Sequence, residues 1–119
     1  MFKIKFMFIT ILFVLIFIVS AVSTSQTEVN FKEYKAIKNT KEFNLYLKGV
    51  GEGLESANEE LTARGSKALY CKPEKETMAV ERYSDILKRE VIENSKEICD
   101  DMPMGLILLN GLIKNFPCK

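Results

Sequence analysis

Residues Asn39–Gly65 read NTKEFNLYLKGVGEGLESANEELTARG, and the spacing of their apolar side chains decides the fold class. Phe43, Leu47, Val50, Leu54, Ala57 and Leu61 follow one another at steps of four and three. On a helical wheel they form one stripe within about 40° of a line, the pattern of an amphipathic helix. Glu52, Glu55, Ser56, Glu59 and Arg64 fall on the opposite, solvated side. Asn39 or Thr40 supplies an N-cap, with Glu42 at N3 if Asn39 caps, and Gly65 supplies the stop.

Two glycines inside this helix call for an explanation. Gly49 and Gly53 lie one turn apart on the flank of the stripe, beside Tyr46 and Ala57. Each costs about 1 kcal/mol against Ala in a helix interior. Close approach of another helix backbone would offset that cost, so Gly49 and Gly53 are expected to be helix-packing glycines. Gly49-x-Gly51-x-Gly53 is not a dinucleotide fingerprint, because no strand precedes it and the spacing is wrong.

Upstream, Lys3 and Lys5 precede an apolar run from Phe6 to Val19 that only Thr10 interrupts, and small residues follow from Ser20 to Ser25. This is the layout of a secretory signal peptide over residues 1–25, with Ala21 and Ser23, or Ser23 and Ser25, at the positions that guide cleavage. No cysteine stands near that zone to take a lipid anchor. The competing reading is an uncleaved membrane anchor, since the run is just long enough to span a bilayer. Membrane contact is expected through this segment alone.

Residues 26–119 then form a single domain. Without Lys3 and Lys5, 15 of the 17 basic residues face all 16 acidic ones, with no basic block or stripe. Nucleic acid has no electrostatic footprint to bind. A domain of this size buries only about 60–65% of its unfolded surface and is helped by a covalent staple. Cys71, Cys99 and Cys118 are the candidates, because export implies an oxidising compartment. Three cysteines allow three single bridges and leave one thiol over.

The rest of the chain reads as helices and loops. Phe31, Tyr34 and Ile37 mark a short helix within Thr27–Lys38. Pro73 keeps SKALYCKPEKE, which follows Gly65, from being helical. Val80, Tyr83, Leu87 and Val91, with Ile86 beside them, define a helix over about Met78–Glu93 that Thr77 can cap. Asp100 and Asp101 precede Pro103, a residue suited to a first helical position. The last helix, Pro103–Asn115, carries Leu106, Leu108, Leu109, Leu112, Ile113 and Phe116 across nearly half its wheel, with Ile107 outside that arc. So apolar a helix is central to the core or shared with a partner chain. The expected fold is all-α: a small single-domain bundle of three main helices plus a short N-terminal one, stapled by a disulfide.

Chemistry is sparse. The chain contains no histidine, which removes Ser-His-Asp and Cys-His arrangements and most zinc sites. The cysteines lack metal-ligand spacing. Glu55 and Glu59 share a face at i, i+4, and Asp100 and Asp101 are adjacent, but the former lie opposite the apolar stripe and the latter serve a helix start, so nothing in the sequence suggests the desolvation that makes a carboxylate an acid catalyst. No enzyme activity, cofactor or metal is expected. The exposed contact candidates are the 66–77 loop and the acidic turn at 100–101.

Several of these elements, taken in order, resemble the Rap/Tai family of immunity proteins. They are Phe43-x-x-Tyr46-Leu47-x-Gly49-Val50, Tyr70-Cys71-x-Pro73, a helix with Tyr83 and Ile86-Leu87, and Pro103 ahead of a leucine-rich helix ending Phe116-Pro117-Cys118. The resemblance covers roughly Phe43–Cys118. It implies a helical periplasmic protein with an intramolecular disulfide, here Cys71–Cys118, that binds and blocks a peptidoglycan amidase delivered by type VI secretion. It also implies dimers. Relatives often carry a cysteine just ahead of the Tyr-x-x-Gly element, where this chain has Asn44 and Leu45, and Cys99 has no place in the pattern. The expected partner is therefore a cognate cell-wall amidase in the periplasm. The alternative is a structural or adaptor protein of the envelope, homodimeric through its last helix. A carrier holding an apolar ligand between helices is a third, weaker reading.

Overall fold

Local sequence signals start and stop the longest helix, and contacts between distant segments set how the helices pack. The computed structural model describes residues 28–119, so the segment read as a signal peptide lies outside the described residues. Helices α1 (Phe31–Ile37), α2 (Lys41–Ala63), α3 (Val80–Glu93) and α4 (Met104–Asn115) form an all-α bundle. No strand occurs among the described residues; one isolated bridge joins Asn30 to Pro103.

Helix α1 opens on a capping box. Asn30 Oδ1 accepts from the Glu33 N–H at 3.0 Å, and the Glu33 carboxylate accepts from the Asn30 N–H at 3.3 Å. Seven residues are too few to hold a helix alone. The Phe31 N–H donates to the Met102 carbonyl, the Lys32 N–H to that of Asp100, and the Met104 N–H to that of Val29, each at 3.0 Å. These bonds tie α1 to the entry of α4. The Asp100 carboxylate, expected to serve the start of α4, instead meets Lys35 of α1 at 2.6 Å.

Thr40, the second of the two expected caps, starts α2 by accepting from the Phe43 N–H at 3.2 Å. Gly65 ends it at φ +77°, with its N–H donating to Thr62 and that of Ser66 to Leu61. This is a Schellman stop, and the left-handed backbone at residue 65 suits glycine. The buried face of α2 follows a register slightly rotated from the one expected. Phe43, Leu47 and Gly51 are buried, Leu54, Asn58 and Leu61 are half-buried, and Ala57 is exposed.

That rotation corrects the expectation for Gly49 and Gly53. Both are exposed, and a Cβ at either would meet nothing within 4 Å. The packing glycine is Gly51, where a Cβ would lie 2.5 Å from the Tyr83 ring of α3. Gly111 of α4 does the same from the other side, where a Cβ would lie 2.7 Å from Ile86 Cγ2. Helix α3 is thus seated between a glycine of α2 and a glycine of α4.

Helix α3 starts at Val80 with Ala79 at the cap position and no side-chain cap. Thr77 stands too far upstream to reach the first-turn N–H groups. Tyr83, Ile86 and Leu87 are fully buried, as is most of Glu90, whose carboxylate pairs with Lys114 of α4 at 2.7 Å.

In α4, Pro103 is the cap residue rather than the first helical one. Met104, Ile107, Leu108, Gly111, Leu112 and the following Phe116 are buried. Ile107, expected outside the apolar arc, is 1% exposed, whereas Leu106 and Ile113 are 46% and 38% exposed. Its polar residues, Asn110, Lys114 and Asn115, gather in its second half and leave the rotation of the first undefined by pattern. The close fit of Gly111 on Ile86 defines it instead. A disulfide joins Cys71 to Cys118 with their Cα atoms 4.9 Å apart, and Cys99 is an exposed free thiol.

Candidate functional site

Beyond Gly65 the chain turns back along the second half of α2 instead of starting a helix, and three contacts hold it there. Asn58 Oδ1 accepts from the Leu69 N–H at 2.6 Å, and Asn58 Nδ2 donates to the Tyr70 carbonyl at 2.8 Å. The Cys71 N–H donates to the Phe116 carbonyl at 2.7 Å, alongside the disulfide to Cys118. The Tyr70 side chain is 2% exposed and anchors the segment in the core. Between these fixed points Leu69 stays 43% exposed. The 66–77 loop, expected as an exposed contact surface, thus presents an apolar side chain from a clamped backbone.

Asn58 was not singled out by the sequence reading, although a signal for it exists. Leu47, Gly51, Leu54, Asn58 and Leu61 also follow steps of four and three. A polar residue on such a line faces inward and must find partners. Here its amide has both a donor and an acceptor within reach, supplied by the loop backbone.

A groove of about 580 Å³ runs between α2 and this loop, lined in part by Glu55, Glu59, Tyr70, Lys72 and Glu74. Glu55 is not the solvated residue expected. Its side chain is 23% exposed and pairs with Lys72 Nζ at 2.7 Å. Lys72 also donates to the Glu76 carbonyl at 3.2 Å. Arg82 binds the Glu76 carboxylate at 3.0 Å and lies 5.5 Å from the centre of the Phe116 ring. Glu59 and Glu74 make no ion pair among the described residues, so the groove carries more negative than positive charge.

Beneath Glu55 lie two phenols. The Tyr70 hydroxyl is buried and has no hydrogen-bond partner among the described residues, whereas the buried Tyr83 hydroxyl is turned to the Glu55 carboxylate. An unpaired buried hydroxyl costs about 1–3 kcal/mol. Burial, then the neighbouring Glu55 and Glu59 carboxylates, pushes Tyr70 up to about 12. Burial and the adjoining Glu55 carboxylate raise Tyr83 as well. Both phenols therefore remain protonated at neutral pH, and the Tyr70 hydroxyl keeps a proton to donate and lone pairs to offer.

Two other surfaces are notable. A cleft of about 370 Å³ between α1 and α3 is lined by Phe31, Lys38, Lys88 and Ile92, among others, and Ile92 is 75% exposed. Leu106 and Ile113 are exposed on the outer side of α4. The acidic turn at 100–101 is exposed, with Asp100 held by Lys35. Among the described residues no group of three or more His, Cys, Asp or Glu side chains could hold a metal ion, and no helix is long and apolar enough to cross a membrane.

Compared with family models, with curated proteins and with solved structures, the chain matches none.

Proposed function

We propose that this chain is an exported immunity-type protein that binds a cell-wall hydrolase, of the peptidoglycan amidase class delivered by type VI secretion, and blocks it by surface complementarity. The observation that carries the reading is the clamped loop. Leu69 projects from a backbone held by the Asn58 amide, the Tyr70 anchor and the Cys71–Cys118 bridge. A loop already ordered before binding forfeits little conformational entropy when a partner closes on it, so more of the contact energy becomes affinity. The signal-peptide layout, the disulfide's fit to an oxidising periplasm and the Rap/Tai-like motifs support the same reading. The protein works without catalysis of its own.

The test is to express the full chain with its own leader, recover it from envelope extract under non-reducing conditions, and identify what co-purifies by mass spectrometry. A stoichiometric wall hydrolase whose activity the protein abolishes is the expected result. Recovery of the protein alone, with no inhibition of a neighbouring gene's hydrolase, would defeat the proposal.

The exposure of Leu106 and Ile113 favours one second reading, an envelope adaptor that dimerises through α4. Light scattering at micromolar concentration tests it, and a monomer there would count against it.

A further inference from the structure

We infer that the groove between α2 and the disulfide-tied loop is a receptor site for a guanidinium group, an arginine side chain carried by the protein partner. Only the source of the arginine rests on the inhibitor reading; the site itself rests on the groove.

Three features of the groove converge on a cation. Glu55, Glu59 and Glu74 line it against a single ammonium, that of Lys72. Lys72 already sits 2.7 Å from the Glu55 carboxylate, so this carboxylate takes a cation from within the same chain. Tyr70 also lines the groove, is 2% exposed, and has a buried hydroxyl without a partner. Tyr83, fully buried and outside the groove's lining, is turned to the same Glu55 carboxylate from beneath. The Glu55 and Glu59 carboxylates beside the unpaired Tyr70 phenol offer several acceptors in one place.

A guanidinium fits this set better than an ammonium. It is planar, brings five N–H donors in a fixed fork, pairs with a carboxylate through two bonds, and stacks on aromatic faces. Lys72, a flexible point charge, reaches Glu55 with one atom and leaves the Tyr70 hydroxyl unserved. In the bound state the arginine would displace Lys72 from Glu55, and Lys72 would turn to solvent beside Glu76, whose carbonyl it already reaches. A metal ion is a poorer occupant, since the described residues hold no ligand cluster for one.

The test uses ¹⁵N-labelled protein recovered, disulfide intact, from cells expressing the full chain. It is titrated with the capped tripeptide acetyl-Gly-Arg-Gly-amide and with its citrulline counterpart, in which a neutral urea replaces the guanidinium at nearly the same shape. The arginine peptide is expected to shift the backbone amides of residues 55–59 and 68–74 saturably, while the citrulline peptide leaves them in place. Glu55→Gln should weaken binding about five-fold or more, since a charge-assisted pair is lost. Glu59→Gln, on the exposed rim, should weaken it about two-fold, as for a solvated charge. Lys72→Met should tighten binding several-fold by removing the internal competitor. Lys67→Met, the same charge removed from an exposed position of the same loop, should change it less. Equal shifts from both peptides, or an arginine response that neither glutamate variant weakens, would overturn the site. The two proposals fail separately. A captured hydrolase that binds Glu55→Gln unimpaired leaves the inhibitor reading standing without this site. Arginine binding with no hydrolase captured leaves the site standing without the inhibitor.

Discussion

Gly51 and Tyr83 meet so closely that α2 has no room for a side chain at residue 51: a Cβ there would lie 2.5 Å from the tyrosine ring. The ring is fully buried and cannot swing away, so the fit fixes both the distance between α2 and α3 and the rotation of each about its axis. Gly51→Ala is therefore expected to destabilise the protein by about 1–3 kcal/mol through overpacking. Gly49→Ala and Gly53→Ala, one turn apart on the exposed side, should each stabilise it by about 0.5–1 kcal/mol through better helix propensity. Urea denaturation of the three variants checks the opposite signs, and a loss at all three would refute this account of the helix.

The Cys71–Cys118 bridge spans a sequence separation of 47. Closing a loop of that length in the unfolded chain contributes about 4 kcal/mol in the chain-entropy treatment. Replacing both cysteines by serine should lower the unfolding free energy by about 2–4 kcal/mol and raise amide exchange across the 66–77 loop. Cys99→Ser, at an exposed free thiol, should change stability by less than about 0.5 kcal/mol. A large effect of Cys99→Ser would point to a role for that thiol that the fold does not explain.

Asn58 holds the loop by one accepted and one donated bond. Asn58→Leu removes both and leaves the Leu69 N–H and Tyr70 carbonyl to find water, at an expected cost of about 1–3 kcal/mol. Asn58→Asp keeps the acceptor for Leu69 but loses the donor to Tyr70, and should fall between wild type and Asn58→Leu. Hydrogen exchange at the Leu69 amide reads the clamp directly. Unchanged protection in Asn58→Leu would mean the disulfide alone orders the loop.

All four tyrosines have raised pKa values, with burial the leading cause in each, and Tyr70 is pushed up to about 12. The unfolded chain releases these protons near 10, the folded one later. Between those values the folded state holds more protons than the unfolded state, so stability falls as pH rises. It is fully present below pH 10 and lost progressively toward 12. Phenolate absorbance should therefore lag behind that of the unfolded chain at pH 10, with the Tyr70 share rising together with the loss of helical circular dichroism. Four phenols titrating at pH 10 with the fold intact would contradict their burial.

The limits of sequence reading are visible residue by residue. Thr40 and Gly65 bracket α2 because caps and left-handed stops are satisfied within one turn of chain. The stripe through Phe43 and Leu47 is equally local. Below about one residue of rotation, however, the pattern is ambiguous: Val50, Leu54 and Ala57 compete with Gly51, Leu54 and Asn58 as the continuation. Helix α4 shows the same difficulty more strongly. Leu106 and Ile107 are equally apolar, and it is the packing on α3, with Gly111 seated on Ile86 and Lys114 paired with Glu90, that goes with Ile107 inward and Leu106 outward. The groove was hidden for a related reason. Glu55 reads as a surface carboxylate until the loop folds over it and brings Lys72 and Tyr70 to its side.

By itself, then, the sequence determined the all-α class, the order and approximate extent of the helices, and most of their ends, because periodicity and capping involve residues only a few positions apart. The tertiary structure decided which glycines seat α3, which face of α4 is buried, which of three cysteine pairs can bond, and that Asn58 and Glu55 line one groove against the loop. Each of those outcomes depends on the distance between residues far apart in the chain, such as the 4.9 Å between the Cα atoms of Cys71 and Cys118. Such distances are set by how whole helices pack, which no short stretch of sequence specifies.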